Sequence, residues 1–194
     1  MDRGLEMEEY IKEYRSERKK SKRVFLNSNE TELNSELCLR VDYLVKEQVQ
    51  KQVEEKQDKI KYLLLCRLLS GAYTENYEAI LGLSSSLLYL DENKSLTYWR
   101  PALIYDSIDR DMKEVEKLLN KGFIRLQEYE LFRLKQKLLN DDWELLKECF
   151  PRMIERNLGM ITESNLLMEK QFLVLCGDYM EELPVIWMTY TQCA

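Results

Sequence analysis

Residues 31–71, TELNSELCLRVDYLVKEQVQKQVEEKQDKIKYLLLCRLLSG, decide how the rest of the chain is read. Within them Leu33, Leu37, Val41, Leu44, Val45, Val49, Val53, Ile60, Leu63, Leu64 and Leu68 mostly keep steps of three and four residues, the spacing that lines one face of an α-helix. The run predicts one long helix or two collinear ones, with Gly71 as the stop. Between Lys46 and Lys61 only Val49, Val53 and Ile60 are apolar, so the middle is expected to project into solvent or against something outside the domain.

Working outward, the helical rhythm recurs. Thr74 to Leu90 reads as a helix carrying Tyr77, Ile80, Leu81, Leu87, Leu88 and Tyr89, weakened by Gly82 and the serines 84–86. Pro101 suits the first position of a helix through Ile104, Ile108, Val115 and Leu119, with Gly122 as its left-handed end. Phe123 to Leu139 follows, and Asp141 with Glu144 reads as the cap of a further helix that Pro151 kinks or splits. Thr162 is expected to cap a last helix to about Leu183, nearly continuously apolar from Leu166 to Met180 and hence central.

At the N-terminus, Leu5 to Arg23 is a mostly charged helix, acidic first and basic last, which suits the helix dipole; Asn27-Ser28-Asn29 breaks it. After Pro184, Val185 to Tyr190 has strand-like composition, and Val24-Phe25-Leu26 offers it an edge. The predicted architecture is all-α: an irregular antiparallel bundle of about six to seven helices with a short strand-like or extended C-terminal tail. Its parts are a charged N-terminal helix and linker (1–30), a helical bundle domain (31–183) and an apolar C-terminal tail (184–194). Six glycines and three prolines leave few forced turns, in keeping with long helices.

The balance of 45% hydrophobic and 33% charged residues excludes a disordered or low-complexity chain. The start carries four acidic residues within ten and no apolar stretch of signal-peptide length, and the most apolar run, Phe172 to Cys176, is far too short for a membrane span; a soluble, cytoplasmic protein is expected. Five widely separated cysteines without a C-x-x-C pair fit neither a disulfide framework nor a zinc site. Cys38, Cys66, Cys149 and Cys176 are expected in the core and Cys193 as an exposed thiol.

The chain contains no histidine, which excludes Ser-His-Asp hydrolysis, Cys-His proteolysis and most zinc chemistry for this chain acting alone. No glycine-rich phosphate loop occurs. Asp106 and Asp109, three apart on one helix face, have the spacing for a Mg²⁺-dependent enzyme; the plainer expectation makes them, with Asp111, Asp141, Asp142 and Glu144, solvated helix faces and caps. No cofactor, metal ligand or catalytic residue is assigned.

Two other features bear on function. The basic segment 15–23 holds Arg15, Arg18, Lys19, Lys20, Lys22 and Arg23 against Glu17, and could contact phosphates in a nucleic-acid-associated regulator. The net charge of −6 argues against nucleic-acid binding by the whole surface, and a solvated helix end is the plainer reading. Twelve tyrosines are many for 194 residues, and Tyr73, Tyr77, Tyr89, Tyr98 and Tyr105 crowd one third of the chain around Trp99. Core packing is expected to absorb at least half of them, leaving Tyr73, Tyr77, Tyr98, Trp99 and Arg100 as partner-binding candidates, with Trp99 the exposed anchor. The sequence therefore favours a non-enzymatic helical module of immunity, inhibitor or adaptor type. Its acidic, tyrosine-rich surface would bind another protein, with a basic toxin or nuclease as the expected kind of partner.

Overall fold

The computed structural model of the chain describes residues 2–55 and 58–190, and it corrects the all-α expectation. In chain order the elements are α1 (Arg3–Tyr10), α2 (Lys12–Ser28), α3 (Glu30–Glu55), β1 (Ile60–Arg67), α4 (Gly71–Thr74), β2 (Ala79–Ser84), a 3-10 turn (Leu88–Leu90), β3 (Ser95–Trp99), α5 (Ala102–Tyr105), α6 (Ile108–Leu119), α7 (Glu128–Thr162), β4 (Met168–Asp178) and β5 (Val185–Tyr190). The chain forms two compact units, Met1–Leu33 with Pro101–Glu148, and Asn34–Arg100 with Cys149–Ala194. The divisions fall inside α3 and α7.

The second unit is built on a mixed sheet of order β3-β2-β1-β4-β5. β1 runs parallel to β4; the other neighbours are antiparallel. Leu63 stands opposite Leu83 and Val174, and Leu65 opposite Leu81 and Cys176, while Leu64 and Cys66 point the other way, opposite Gly82 and Leu175, and Ile80 and Gly177. One side meets the helices. Ser95 Oγ donates to Gln48 Oε1 on α3 at 2.7 Å, Trp187 Nε1 donates to Glu155 Oε1 on α7 at 2.9 Å, and the Trp99 ring lies 6.4 Å from Phe150. The Gln52 side chain acts as a spare peptide group: its amide donates to Leu167 O at 2.9 Å and its oxygen accepts from Leu167 N at 2.8 Å.

Burial on both faces explains why three predicted helices are strands. A strand packed on one side alternates apolar and polar residues, but the central strands β1 and β4 are covered on both sides and become continuous apolar runs. Leu63, Leu64, Leu65 and Cys66 are all buried, as are Val174, Leu175 and Cys176. Such a run satisfies a three-to-four-residue template as readily as a helix does. The predicted helix 31–68 therefore ends with α3, and the predicted helices 74–90 and 162–183 become β2 with its following loop and β4.

The residues that weakened the second of these helices mark the strand. A Cβ at Gly82 would run into the Leu96 side chain on β3, so the glycine permits close cross-strand approach, and Ser84 and Ser85 begin the turn. The strand-like tail is β5, paired with β4 and not with Val24-Phe25-Leu26, which lie in α2.

The first unit is helical. Ile108, Asp111, Val115 and Leu119 form the buried face of α6. α7 continues through both Asn140-Asp141 and Pro151, so Asp141 caps nothing. Gly122 does not take a left-handed conformation, since no described glycine has positive φ; a Cβ there would lie 3.0 Å from the Tyr10 ring, and close packing is its role. Cys66, Cys149 and Cys176 are buried, Cys38 is half-buried instead of being in the core, and Cys193 lies outside the described residues. Among the described residues no helix is long and apolar enough to cross a membrane.

Candidate functional site

The side of the sheet facing away from the helices carries the candidate interface. Two loops lie across it, residues 85–94 between β2 and β3 and residues 179–184 between β4 and β5. Leu88 from the first and Leu183 from the second pack on a cluster of Leu64, Cys66, Ile80 and Leu175, with Tyr62 and Leu173 beside them. The first loop is knotted around the buried Asp91. Its carboxylate accepts the Ser85 N–H at 2.6 Å, the Ser84 hydroxyl at 3.2 Å and the Asn93 N–H at 2.9 Å, while Lys94 Nζ donates to the Asp91 carbonyl at 2.7 Å. Burial alone would raise the Asp91 pKa; the Ser85, Asn93 and Ser84 donors outweigh it and hold the carboxyl below its usual range.

The loops are clasped at two tyrosines. Tyr89 Oη accepts the Met180 N–H at 3.1 Å, and the Tyr89 and Tyr179 rings meet edge to face with centroids 5.6 Å apart. Burial pushes the Tyr89 hydroxyl up to about 12, with the neighbouring Cys66 adding to the effect, and burial pushes the Cys66 thiol up to about 11. Both groups are neutral at ordinary pH, so this is a neutral clasp and not an activated thiolate. Leu88 and Met180 hold positive φ, 54° and 67°, in the left-handed region that disfavours bulky side chains. Beyond the clasp Leu87, Leu90, Tyr179 and Met180 are exposed, Leu90 to 81% and Met180 to 68%. Glu92, Glu181 and Glu182 are exposed beside them.

Tyr98, Trp99 and Arg100 do not act together. Strand alternation turns Tyr98 outward, 55% exposed on the same side as Leu96, and Trp99 inward, 2% exposed, with Nε1 donating to Glu36 at 3.4 Å. Trp99 is thus a core residue and not the exposed anchor. Arg100 is exposed, Tyr73 is exposed on α4, and Tyr77 is half-buried. The expectation that the core absorbs half the tyrosines fails: only Tyr105 is buried, and seven of the twelve are exposed. Leu87, Leu90, Tyr179 and Met180 were not singled out by sequence, because Leu87 to Leu90 and the 166–180 run read as helix faces. The signals available were the serine run 84–86 and Pro184, which bound the two loops.

In the first unit, most of the basic segment is consumed by intramolecular pairs. Arg18 donates to both Asp142 oxygens at 2.9 and 2.8 Å and to Asp111 Oδ2 at 2.8 Å. Lys22 donates to Asp142 Oδ2 at 2.9 Å and Ser107 Oγ at 3.1 Å. Arg15 pairs with Asp141, Lys20 with Glu17 and Arg23 with Glu148; Lys19 is half-buried. Arg18, Lys22, Asp111 and Asp142 are buried, which corrects the solvated-helix reading for these four residues, while Lys20, Arg23, Asp106, Asp109 and Glu144 are exposed. Burial lowers the Lys22 pKa; for Arg18 burial acts the same way, but its bonds to Asp142 and Asp111 outweigh it and raise the pKa.

This network floors a cleft of about 1030 Å³ whose walls include Tyr14, Glu17, Phe25, Leu103, Asp106 and Arg110. Asp106 lines the cleft and Asp109 does not. Among the described residues no three His, Cys, Asp or Glu side chains are grouped so as to hold a metal ion.

No known family model matches this chain, and no curated protein or solved structure is significantly similar to it.

Proposed function

We propose that the chain is a non-enzymatic protein-binding module, of the immunity, inhibitor or adaptor kind, that engages another protein through the loop-covered side of its sheet. The observation that carries this reading is the placement of tyrosine: seven of twelve side chains are exposed and one is buried. Tyrosine contributes large contact area at low entropic cost and keeps a polar tip, which is why it concentrates in interfaces. Tyr98 and Tyr190 stand on this same side of the sheet with Leu96, Val185 and Met188. The neutralised basic segment supplies little free charge for phosphate, so no observation favours the nucleic-acid reading over this one.

Affinity capture with the full chain from its source cells tests the reading. A partner recovered in stoichiometric amount, and reduced at least tenfold by combined Tyr98→Ala and Tyr190→Ala or by loop substitutions, supports it. Recovery of no protein across low and high salt would remove it.

A further inference from the structure

We infer that the clasped loops 85–94 and 179–184 are the docking tip of this module, and that they fit a partner presenting an apolar pocket within a basic rim. The inference rests on the protein-binding reading and names the part of the surface and the chemistry of what it meets.

Loop tips are ordinarily polar, yet Leu87, Leu90, Tyr179 and Met180 are exposed together on two loops joined by the Tyr89–Met180 hydrogen bond. These side chains are held in advance of binding. Leu88 and Leu183 anchor the loops in the sheet cluster, the Asp91 carboxylate fixes two donors of the first loop and the Ser84 hydroxyl at the end of β2, and the tyrosine pair ties the second loop to the first. A rigid apolar tip loses little conformational entropy on docking.

The backbone adds an independent indication. Met180 sits at φ 67° with most of its side chain in solvent, so its own fold derives little from the methionine that a glycine would not provide at lower strain. A thioether in that place suits contact with an apolar surface outside the chain.

Charge then selects the partner. Glu92, Glu181 and Glu182 flank the tip along both loops, and the whole chain carries a net charge of −6. An acidic partner would meet like charge at the rim, whereas a basic one is steered in and held in register.

The test is photo-crosslinking in the source cells, with a benzophenone side chain replacing Leu90 or Met180, and, as comparison sites, Tyr98 or Tyr190. All four positions are exposed, so folding is monitored by circular dichroism and expected to hold. The expected result is one crosslinked protein of basic isoelectric point from positions 90 and 180, with yield falling more than tenfold in Glu92→Lys/Glu181→Lys/Glu182→Lys. Crosslinks from 98 and 190 only would overturn the tip while leaving the protein-binding reading standing. A partner from 90 and 180 that is acidic, or indifferent to the charge reversal, overturns the partner chemistry. Absence of any crosslink at all four positions overturns both.

Discussion

Arg18 grips Asp142 with both terminal guanidinium nitrogens, at 2.9 and 2.8 Å, and the carboxylate is completely shielded from solvent. Lys22 and Asp111 complete a buried group of two cations and two anions. Taking charges out of water is costly, and the pairing here offsets that cost only while every member is present.

Asp142→Asn should therefore destabilise the protein by about 3–5 kcal/mol, because Arg18 and Lys22 are left buried without their shared counter-charge. Lys20→Ala, which removes only an exposed pair with Glu17, should change stability by less than about 0.5 kcal/mol. Urea unfolding of both variants decides the point, and similar midpoints would show that the buried network contributes nothing special.

Met180→Gly should leave stability unchanged or raise it by up to about 1 kcal/mol, because glycine takes φ 67° without a Cβ penalty. It should at the same time weaken partner binding, since the exposed thioether is gone. A large loss of thermal stability in this variant would show that Met180 is structural.

Adjacent aromatics should behave in opposite ways. Trp99→Ala empties a buried site against Phe150 and should cost about 3–5 kcal/mol, whereas Tyr98→Ala, at an exposed position on the other face of the strand, should cost less than about 1 kcal/mol. Thermal melts of the two single variants separate the roles.

Alkaline pH should weaken the sheet unit. Cys66 keeps its proton to about 11 in the fold, while the unfolded chain releases it from about 9.0, so the folded state holds more protons between those values. Stability then falls as pH rises from 9 to 11, by roughly 2–3 kcal/mol from this thiol; burial is the main cause of the raised pKa, the hydrogen bond with Tyr89 offsets part of it and the Asp178 charge adds to it. Lys22 acts with the reverse sign, because its lowered pKa lets the unfolded chain hold the extra proton up to 10.5. The contribution of Cys66 is read as the difference between the wild type and Cys66→Ala, whose unfolding free energy should decline less steeply over pH 9–11. Parallel pH profiles would refute the assignment.

Much of the helical part was legible. Leu37, Val41 and Leu44 line the buried stripe of α3, and Ile108, Val115 and Leu119 that of α6, because each helix is covered on one side and keeps its periodicity in sequence. The site was less legible. Tyr98 was identifiable as an aromatic, but whether it or Trp99 faces solvent depends on which side of β3 the helices occupy.

By itself the sequence determined the chemistry available: no imidazole, no phosphate loop, an acidic balance, and a store of tyrosine too large to ignore. Tertiary structure alone decided the sheet and the fate of the charges. A parallel pair such as β1 and β4 joins segments about 110 residues apart and buries both faces, which erases the alternation that would announce a strand. In the same way Arg18 and Asp142 look solvated as neighbours of other charges in sequence, and become a buried pair only when these residues, 124 apart along the chain, are brought together.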